Sequence, residues 1–192
     1  YCYERAEMAL HDRDVKRYFA TGIAGLSIVA DSLSAIKYAK VEVIRDEDGI
    51  IVDFKTTGEF PKYGNDDDRV DSIATELVSK FMTAVRRHHT YRNGIPTTSI
   101  LTITSNVMYG KNTGATPDGR KSRDMLGYGV DPLYGEASNG LGFRMLSNMK
   151  LPFEEFNGGY ASHLGVDPKY FKGDDYNKKG VEFYHNIVKP LF

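Results

Sequence analysis

The residue types best suited to present chemistry lie together in residues 100–120. The stretch begins with apolar, largely β-branched residues that alternate with Thr and Ser, which predicts a buried strand over 97–107. From Gly110 onwards glycines replace this pattern, and the stretch closes on the run TPDGR at 116–120. Because α/β proteins present functional residues in loops that follow strands, this loop is the first candidate for a functional segment.

Four residues of the closing run are candidates for bracing the loop: Thr116, Asp118, Gly119 and Arg120. Pro117 presets the φ angle of a turn, Asp118 can accept hydrogen bonds from backbone amides beyond it, and Gly119 can adopt positive φ. Arg120 offers a planar fork of donors that suits a carboxylate or several carbonyl oxygens. We favour bracing for Arg120; the alternative is that it binds an anionic ligand.

The other reactive side chains give no metal-site pattern. His88 and His89 are adjacent, so on a helix they point about 100° apart. The sequence has no HxxxH or HExxH motif, and Cys2 is the only cysteine. We therefore expect no metal and interpret the paired histidines as solvated residues at the end of a helix.

Two further stretches have both a chemical and a structural interpretation. The run HDRD at 11–14 can supply general acid–base groups, but we favour a polar helix junction with Asp12 or Asp14 as the N-cap. The glycine-rich segment 110–119 matches neither GxxxxGK[ST] nor GxGxxG, so a phosphate cradle is not indicated. Cys2 has no neighbouring base that would activate it as a nucleophile.

Composition predicts a soluble cytoplasmic protein. The net charge is −1, so bulk electrostatics favour neither nucleic acid nor an anionic membrane. No apolar run approaches the roughly 20 residues of a membrane span, and the N-terminus lacks the pattern of a signal peptide. A single cysteine suits a reducing compartment.

Periodicity places these candidates on alternating helices and strands, which predicts an α/β fold. In the helix predicted over 67–89 the expected buried face is Val70, Ile73, Leu77, Phe81 and Val85. Small residues fill much of the helix at 23–38, beside a stripe of larger apolar residues, so we expect this helix to be buried on more than one side. The predicted helices cover 4–20, 23–38, 67–89, 143–149 and 177–189, and the predicted strands a hairpin at 41–55, the stretch 97–107 and the stretch 160–166.

Long runs of the chain resemble pyruvate formate-lyases (formate acetyltransferases), which are glycyl radical enzymes. The runs that carry the resemblance are YERAEMALHDRDV, GIAGLSIVADSLSAIKYAKVEVIRDEDG, FPKYGNDDDRVD and ILTITSNVMYGKNTGATPDGR, the last of which contains the family signature TPDGR. The resemblance implies that residues 1–122 are a C-terminal part of the pyruvate formate-lyase domain. Residues 123–192, which match more weakly, would begin the glycine-radical-domain region.

The resemblance also implies a fold and a reaction. The family is built on a ten-stranded barrel of two half-barrels, and this chain would be part of the second half-barrel with its surrounding helices. A glycyl radical passes to a cysteine that cleaves pyruvate, formate leaves, and the acetyl group passes to coenzyme A. The implied partners are pyruvate, coenzyme A, a radical SAM activating enzyme and a second copy in a homodimer.

The chain departs from the family pattern at the catalytic residues. It contains neither the adjacent cysteine pair nor a radical-glycine motif of the form RVSGYAV. We therefore assign no catalytic residue to this chain and expect it to be a fragment that is inactive alone. The alternatives are a non-catalytic scaffold or interaction fragment, and a glycyl radical enzyme for another substrate, such as a 2-ketobutyrate formate-lyase or a dehydratase.

Overall fold

The structure is a computed structural model that describes residues 6–7, 9–10 and 16–191. Within residues 16–191 it is an α/β arrangement of four strands and five α-helices. The strands are β1 (Tyr18–Gly22), β2 (Lys40–Arg45), β3 (Ile51–Thr57) and β4 (Ile95–Ser99). The helices are α1 (Leu26–Tyr38), α2 (Asp68–Val85), α3 (Ser105–Lys111), α4 (Leu141–Met149) and α5 (Tyr176–Phe183). Helical turns continue α5 through Tyr184–Val188 and Lys189–Leu191.

Three chain segments run parallel and side by side. Strand β1 pairs with β4 in parallel, in a register that ends with Gly22 opposite Ser99. One residue later Ile100 forms a parallel bridge to Tyr160. The carbonyl of Ile100 accepts the amide of Ala161 at 3.0 Å, which continues the ladder. The carboxyl ends of the three segments therefore meet at one edge.

The structure corrects three of the expected elements. Residues 18–22 form β1 and not the end of a helix over 4–20; the rest of that stretch lies largely outside the described residues. The strand expected over 97–107 ends at Ser99, and helix α3 occupies 105–111. Of the strand expected over 160–166, only Tyr160 is bridged.

Helices α1 and α2 pack on each other and form most of the core. Helix α2 begins at its N-cap Asp67, whose carboxylate accepts the amide of Arg69. Its fully buried apolar row is Val70, Ala74, Val78 and Met82. Only Val70 was expected in that row; the other expected residues, Ile73, Leu77, Phe81 and Val85, are half-buried.

Helix α1 buries its small and polar residues and exposes several larger ones. Leu26, Ala30, Ser34 and Ala35 are buried, whereas Val29, Leu33 and Ile36 are exposed. The small side chains allow α2 to approach closely, as the composition of the helix predicts. The prediction that this helix is buried on more than one side is confirmed, because its buried residues cover most of its circumference and only the stripe of larger apolar residues faces outward.

The remaining elements follow the sequence pattern closely. The β2–β3 hairpin is confirmed, and Gly49 adopts φ of 80° in its turn. The short helix expected at 143–149 and the helix expected at 177–189 are confirmed as α4 and as α5 with its continuation. None of the described helices is long and apolar enough to cross a lipid bilayer.

One core joins residues on both sides of the expected boundary at residue 122. Leu26, Val78 and Ile100 share a buried cluster with Val130 and Phe156. The division into 1–122 and 123–192 therefore stays a prediction about the longer family domain.

Candidate functional site

A cleft lies at the carboxyl ends of β1 and β4. It encloses about 600 Å³. Its walls are the residues that follow β1 and β4, helix α3, and Leu126 from the chain after α3. Crevices at this edge of parallel strands are where α/β proteins bind ligands. The hydroxyl of Thr102 is buried there without a hydrogen-bond partner among the described residues. The lining residues are Gly22, Ile23, Ala24, Ser99, Leu101, Thr102, Ser105, Tyr109 and Leu126.

The TPDGR loop closes on itself by backbone hydrogen bonds. The amide of Thr116 donates to the carbonyl of Arg120, and the amide of Gly119 donates to the carbonyl of Thr116, both at 3.0 Å. Gly119 adopts φ of 105°, which L side chains rarely adopt. This position therefore requires glycine.

Arg120 lies inside the loop and is only 4% exposed. Its Nη1 donates to the carbonyl of Asp124 at 2.7 Å and of Lys121 at 3.0 Å. Its Nη2 donates to the carbonyl of Gly114. The guanidinium therefore donates hydrogen bonds to carbonyl groups at both ends of segment 114–124.

Two hydrogen bonds attach the TPDGR loop to neighbouring elements. The carboxylate of Asp118 accepts the hydroxyl of Ser32 on α1 at 3.1 Å, and not the backbone amides that the sequence suggested. The hydroxyl of Thr56 on β3 donates to the carbonyl of Pro117 at 2.6 Å. The hydroxyl oxygen of Thr116 is buried and has no hydrogen-bond partner in the described chain. Helix α1 and the hairpin thus set the position of the loop.

The chain immediately after the segment held by Arg120 forms one wall of the cleft. Asn106 on α3 donates from Nδ2 to the carbonyl of Leu126 at 2.8 Å, and the amide of Leu126 donates back to its carbonyl at 3.3 Å. Leu126 lines the cleft. The loop therefore leads directly into this wall of the cleft.

The comparison with known proteins decides the family. The sequence profile described as "PFL-like: Pyruvate formate lyase-like" matches residues 1–110. The chain belongs to this family. Within the pyruvate formate lyase-like family, it is 52% identical over 179 residues to "Formate acetyltransferase 1" of Escherichia coli (strain K12). That match covers 93% of this chain and 24% of that protein, so the chain spans about a quarter of its relative.

Solved structures of glycyl radical enzymes have the same fold as this chain. The hydroxyproline dehydratase of Clostridioides difficile is 26% identical with a TM-score of 0.72, covering 91% of this chain and 23% of that one. A glycyl radical enzyme of Archaeoglobus fulgidus is 26% identical with a TM-score of 0.70, at 91% and 24% coverage. The B12-independent glycerol dehydratase of Clostridium butyricum is 27% identical with a TM-score of 0.66, at 88% and 24% coverage. The α/β expectation and the family resemblance are confirmed.

Sequence reasoning missed a buried carboxyl group beside the signature loop of this pyruvate formate lyase-like chain. Asp31 on α1 is 1% exposed, and one of its oxygens accepts the amide of Tyr63 at 2.7 Å. Burial raises its pKa from 3.8 to about 8; the amide of Tyr63 opposes this rise, while the charges of Asp118 and Glu136 add to it. An acidic residue among the small residues of α1 was the available signal.

We expect Asp31 to make stability depend on pH. The pKa of Asp31 is higher in the folded protein than in the unfolded chain, so between about pH 4 and pH 8 the folded state holds a proton that the unfolded state releases. The free energy of unfolding should therefore fall as pH rises through this window, by at most about 1.4 kcal/mol per pH unit from this group. Urea denaturation at several pH values measures the slope. Asp31→Asn, which can still accept the amide of Tyr63, should flatten it; equal slopes would contradict the assignment.

The structure places the remaining candidates away from the cleft or does not describe them. His88 and His89 are exposed beyond the end of α2. Cys2 and the run at 11–14 lie outside the described residues, so their acid–base, capping and nucleophile interpretations stay predictions. Among the residues that the structure describes, no three His, Cys, Asp or Glu side chains are grouped as a metal site would require.

Proposed function

We propose that the chain is part of a formate C-acetyltransferase, which converts pyruvate and coenzyme A to acetyl-CoA and formate by glycyl and thiyl radical chemistry. The observation that carries this proposal is the 52% identity to a formate acetyltransferase over 93% of the chain. The dehydratases of similar fold are only 26–27% identical. Identity of that higher degree favours a shared reaction over a shared fold alone.

The proposed role of this chain is structural support for a catalytic centre formed by other residues. The sequence contains no cysteine pair and no radical-glycine motif, so its side chains cannot carry the radical and we derive no radical step on them. Thr116, Asp118, Gly119 and Arg120 are proposed to brace the loop beside the cleft. The carbonyl contacts of Arg120 and the bond from Ser32 to Asp118 support this role.

We also propose that the parallel segments are strands of the second half of a ten-stranded barrel. The parallel pairing of β1 and β4 and the bridge from Ile100 to Tyr160 support this proposal. Parallel sheets are normally covered on both faces and continued at their edges, which further strands of a barrel would achieve. Residues 1–122 and 123–192 are proposed to belong to the pyruvate formate-lyase and glycine-radical regions.

The proposed partners follow from the proposed reaction. Pyruvate and coenzyme A are the substrates, a radical SAM enzyme generates the glycyl radical, and the enzyme is a homodimer in the cytoplasm. No metal is proposed for this chain. A net charge of −1 gives it no bulk attraction to nucleic acid.

The test compares the 192-residue chain with a full-length enzyme that carries its sequence. After treatment with the activating enzyme, the full-length protein should exchange labelled formate with pyruvate and show a glycyl radical doublet in EPR. The chain alone should do neither, because it contains no radical glycine and no cysteine pair. Formate release or an EPR doublet from the chain alone would contradict the fragment interpretation.

The alternative substrates are tested with the same full-length enzyme. The solved structures of similar fold include dehydratases, so glycerol, 1,2-propanediol and hydroxyproline belong in the assay beside pyruvate and 2-ketobutyrate. Turnover of a hydroxylated substrate without formate exchange would replace the proposed activity. Faster turnover of a 2-keto acid other than pyruvate would support the proposed reaction type and would change the assigned substrate.

A further inference from the structure

The first turn of α1 contains three backbone amides that have no acceptor. The first hydrogen bond of the helix runs from the amide of Val29 to the carbonyl of Gly25, at 3.1 Å. The amides of the three residues between them, Leu26, Ser27 and Ile28, donate to nothing among the described residues. The N-cap is Gly25, which has no side chain to cap them, and the first turn contains no acidic residue.

These three amides belong to buried residues. Leu26 and Ile28 are each 3% exposed, and Ser27 is 1% exposed. Amides at an exposed helix end donate to water, whereas amides at a buried end need an acceptor held in place. The dipole of the helix adds a partial positive charge at the same end, so the acceptor that fits best carries negative charge.

Two hydroxyl groups without partners accompany the amides. The hydroxyl oxygen of Ser27 is buried and makes no hydrogen bond with the described residues. Because side chains on a helix tilt towards its N-terminus, this hydroxyl is directed towards the end that carries the free amides. The buried hydroxyl of Thr102, which lines the cleft, is also without a partner in the described chain. A buried hydroxyl that makes no hydrogen bond costs stability unless a ligand supplies the partner.

The N-terminus of α1 borders the cleft at the carboxyl end of β1. Residues 22–24, which join β1 to the helix, line the cleft together with Thr102. A second cavity of about 290 Å³ shares residues 22–24 with the cleft and is also lined by Gly25 and Leu26. Crevices beyond the carboxyl ends of parallel strands, beside a helix N-terminus, are where α/β proteins bind anionic groups.

The charges around this helix end do not oppose an anion. The only titratable residue among those that line the cleft in the described chain is Tyr109. Asp31 is the one acidic residue of α1. Burial raises its pKa to about 8, so near neutral pH it is protonated and adds no negative charge to the helix.

We propose that the first turn of α1, together with the hydroxyls of Ser27 and Thr102, binds the oxyanion of a carboxylate or phosphate group at the edge of the cleft. The proposal concerns a binding site and does not depend on the proposed reaction. Formate and pyruvate carry the carboxylate form of this group, and coenzyme A and free phosphate carry the phosphate form.

An oxyanion fits these donors better than water does. The three amides can only donate, and both hydroxyls have a proton to donate. A single water molecule has too few lone pairs to accept from all five groups, whereas a carboxylate or phosphate presents several oxygens. Hydrogen bonds to a charged acceptor are also stronger than those to a neutral one.

The test uses the full-length enzyme that carries this sequence. Crystals soaked in sodium selenate should show an anomalous peak within hydrogen-bond distance of the amides of the first turn of α1. In solution, the probe anion should raise Tm relative to potassium chloride at the same ionic strength. The probes are inorganic phosphate, coenzyme A and formate. A response to phosphate and coenzyme A alone assigns the site to phosphate groups, and a response to formate assigns it to carboxylates.

Two variants remove one hydroxyl each and keep the shape of the side chain. Ser27→Ala and Thr102→Val should each raise the half-saturating phosphate or formate concentration about tenfold. In potassium chloride alone their Tm should be unchanged or higher, because each hydroxyl lacks a partner when no anion is bound. The control is Thr83→Val, at an exposed threonine of α2, which should leave the response to anions unchanged.

Three results would overturn the proposed site. They are the absence of a selenate peak at the first turn, an anion response that is equal in both variants and the unmodified enzyme, and a lowered Tm of both variants in potassium chloride. The last result would mean that the hydroxyls serve packing and not a ligand. An enzyme that exchanges no formate but binds selenate at this turn would contradict the proposed function and support the site.

Discussion

Replacing Gly129 with alanine should destabilise the protein by roughly 3 kcal/mol or more. Gly129 adopts φ of 51°, where an L side chain is strained. A methyl group there would overlap the carbonyl oxygen of Ala161 and lie 3.2 Å from that of Ile100. Both obstacles are backbone atoms of the bridged segments, so they cannot rotate away. Urea denaturation of Gly129→Ala measures the loss.

The matched control is Gly135→Ala. Gly135 also has positive φ, at 89°, but a Cβ atom there meets nothing within 4 Å. Its replacement should therefore cost only the backbone strain, about 1 kcal/mol. Equal losses at the two positions would mean that loop 127–131 does not pack closely against segment 160–163.

Sequence reasoning succeeded where local signals and tertiary packing agree. The β2–β3 hairpin was predictable from two apolar runs around Gly49, and the start of α2 from the acidic residues that include its N-cap Asp67. The signature loop was found because glycine and proline interrupt a periodic pattern. These features depend on residues close together in the chain.

Sequence reasoning failed where pairing between distant segments decides the conformation. Residues 18–20 were predicted as the end of the helix over 4–20, but they belong to β1, because β4 pairs with this strand from 77 residues away, as in the register of Tyr18 with Ile95. The apolar run after Ile100 read as strand, although Thr104 and Ser105 are residues that often begin helices, and α3 begins there. The alternation of Leu101 and Ile103 with polar residues suggested a buried strand face, but both side chains are exposed.

Among the candidate sites, too, local sequence predicts the contacts between near neighbours and misses the contacts between residues far apart in the chain. Arg120 was found from the TPDGR run, and its contacts fall within six residues of the chain, as in the bond to the carbonyl of Gly114. Ser27 and Thr102 lie far apart in the chain and share no motif, so only the folded chain brings them to the same edge of the parallel segments. The packing of Asp31 beneath Tyr63 is likewise a contact across 32 residues that no local pattern encodes.

Arg120→Lys should destabilise the protein by about 2–4 kcal/mol. The guanidinium is buried and holds the carbonyls of Gly114, Lys121 and Asp124 at once. A lysine ammonium is a single donor centre and cannot reproduce this fork, so at least one buried carbonyl would lose its partner. Thermal and urea denaturation measure the loss.

Kinetics of the full-length enzyme then separate bracing from ligand binding by Arg120. If Arg120 braces the loop, Arg120→Lys should lower Tm while the KM values for pyruvate and coenzyme A stay nearly unchanged. Arg123→Lys is the control, because Arg123 is an exposed arginine in the same segment, and it should change stability by less than about 0.5 kcal/mol. An unaltered Tm with a large rise in either KM would place Arg120 in the ligand site, against the carboxylate of pyruvate or the phosphates of coenzyme A. Its burial and its three carbonyl partners favour the first result; Nε, which has no hydrogen-bond partner among the described residues, is the buried donor that remains for an anion.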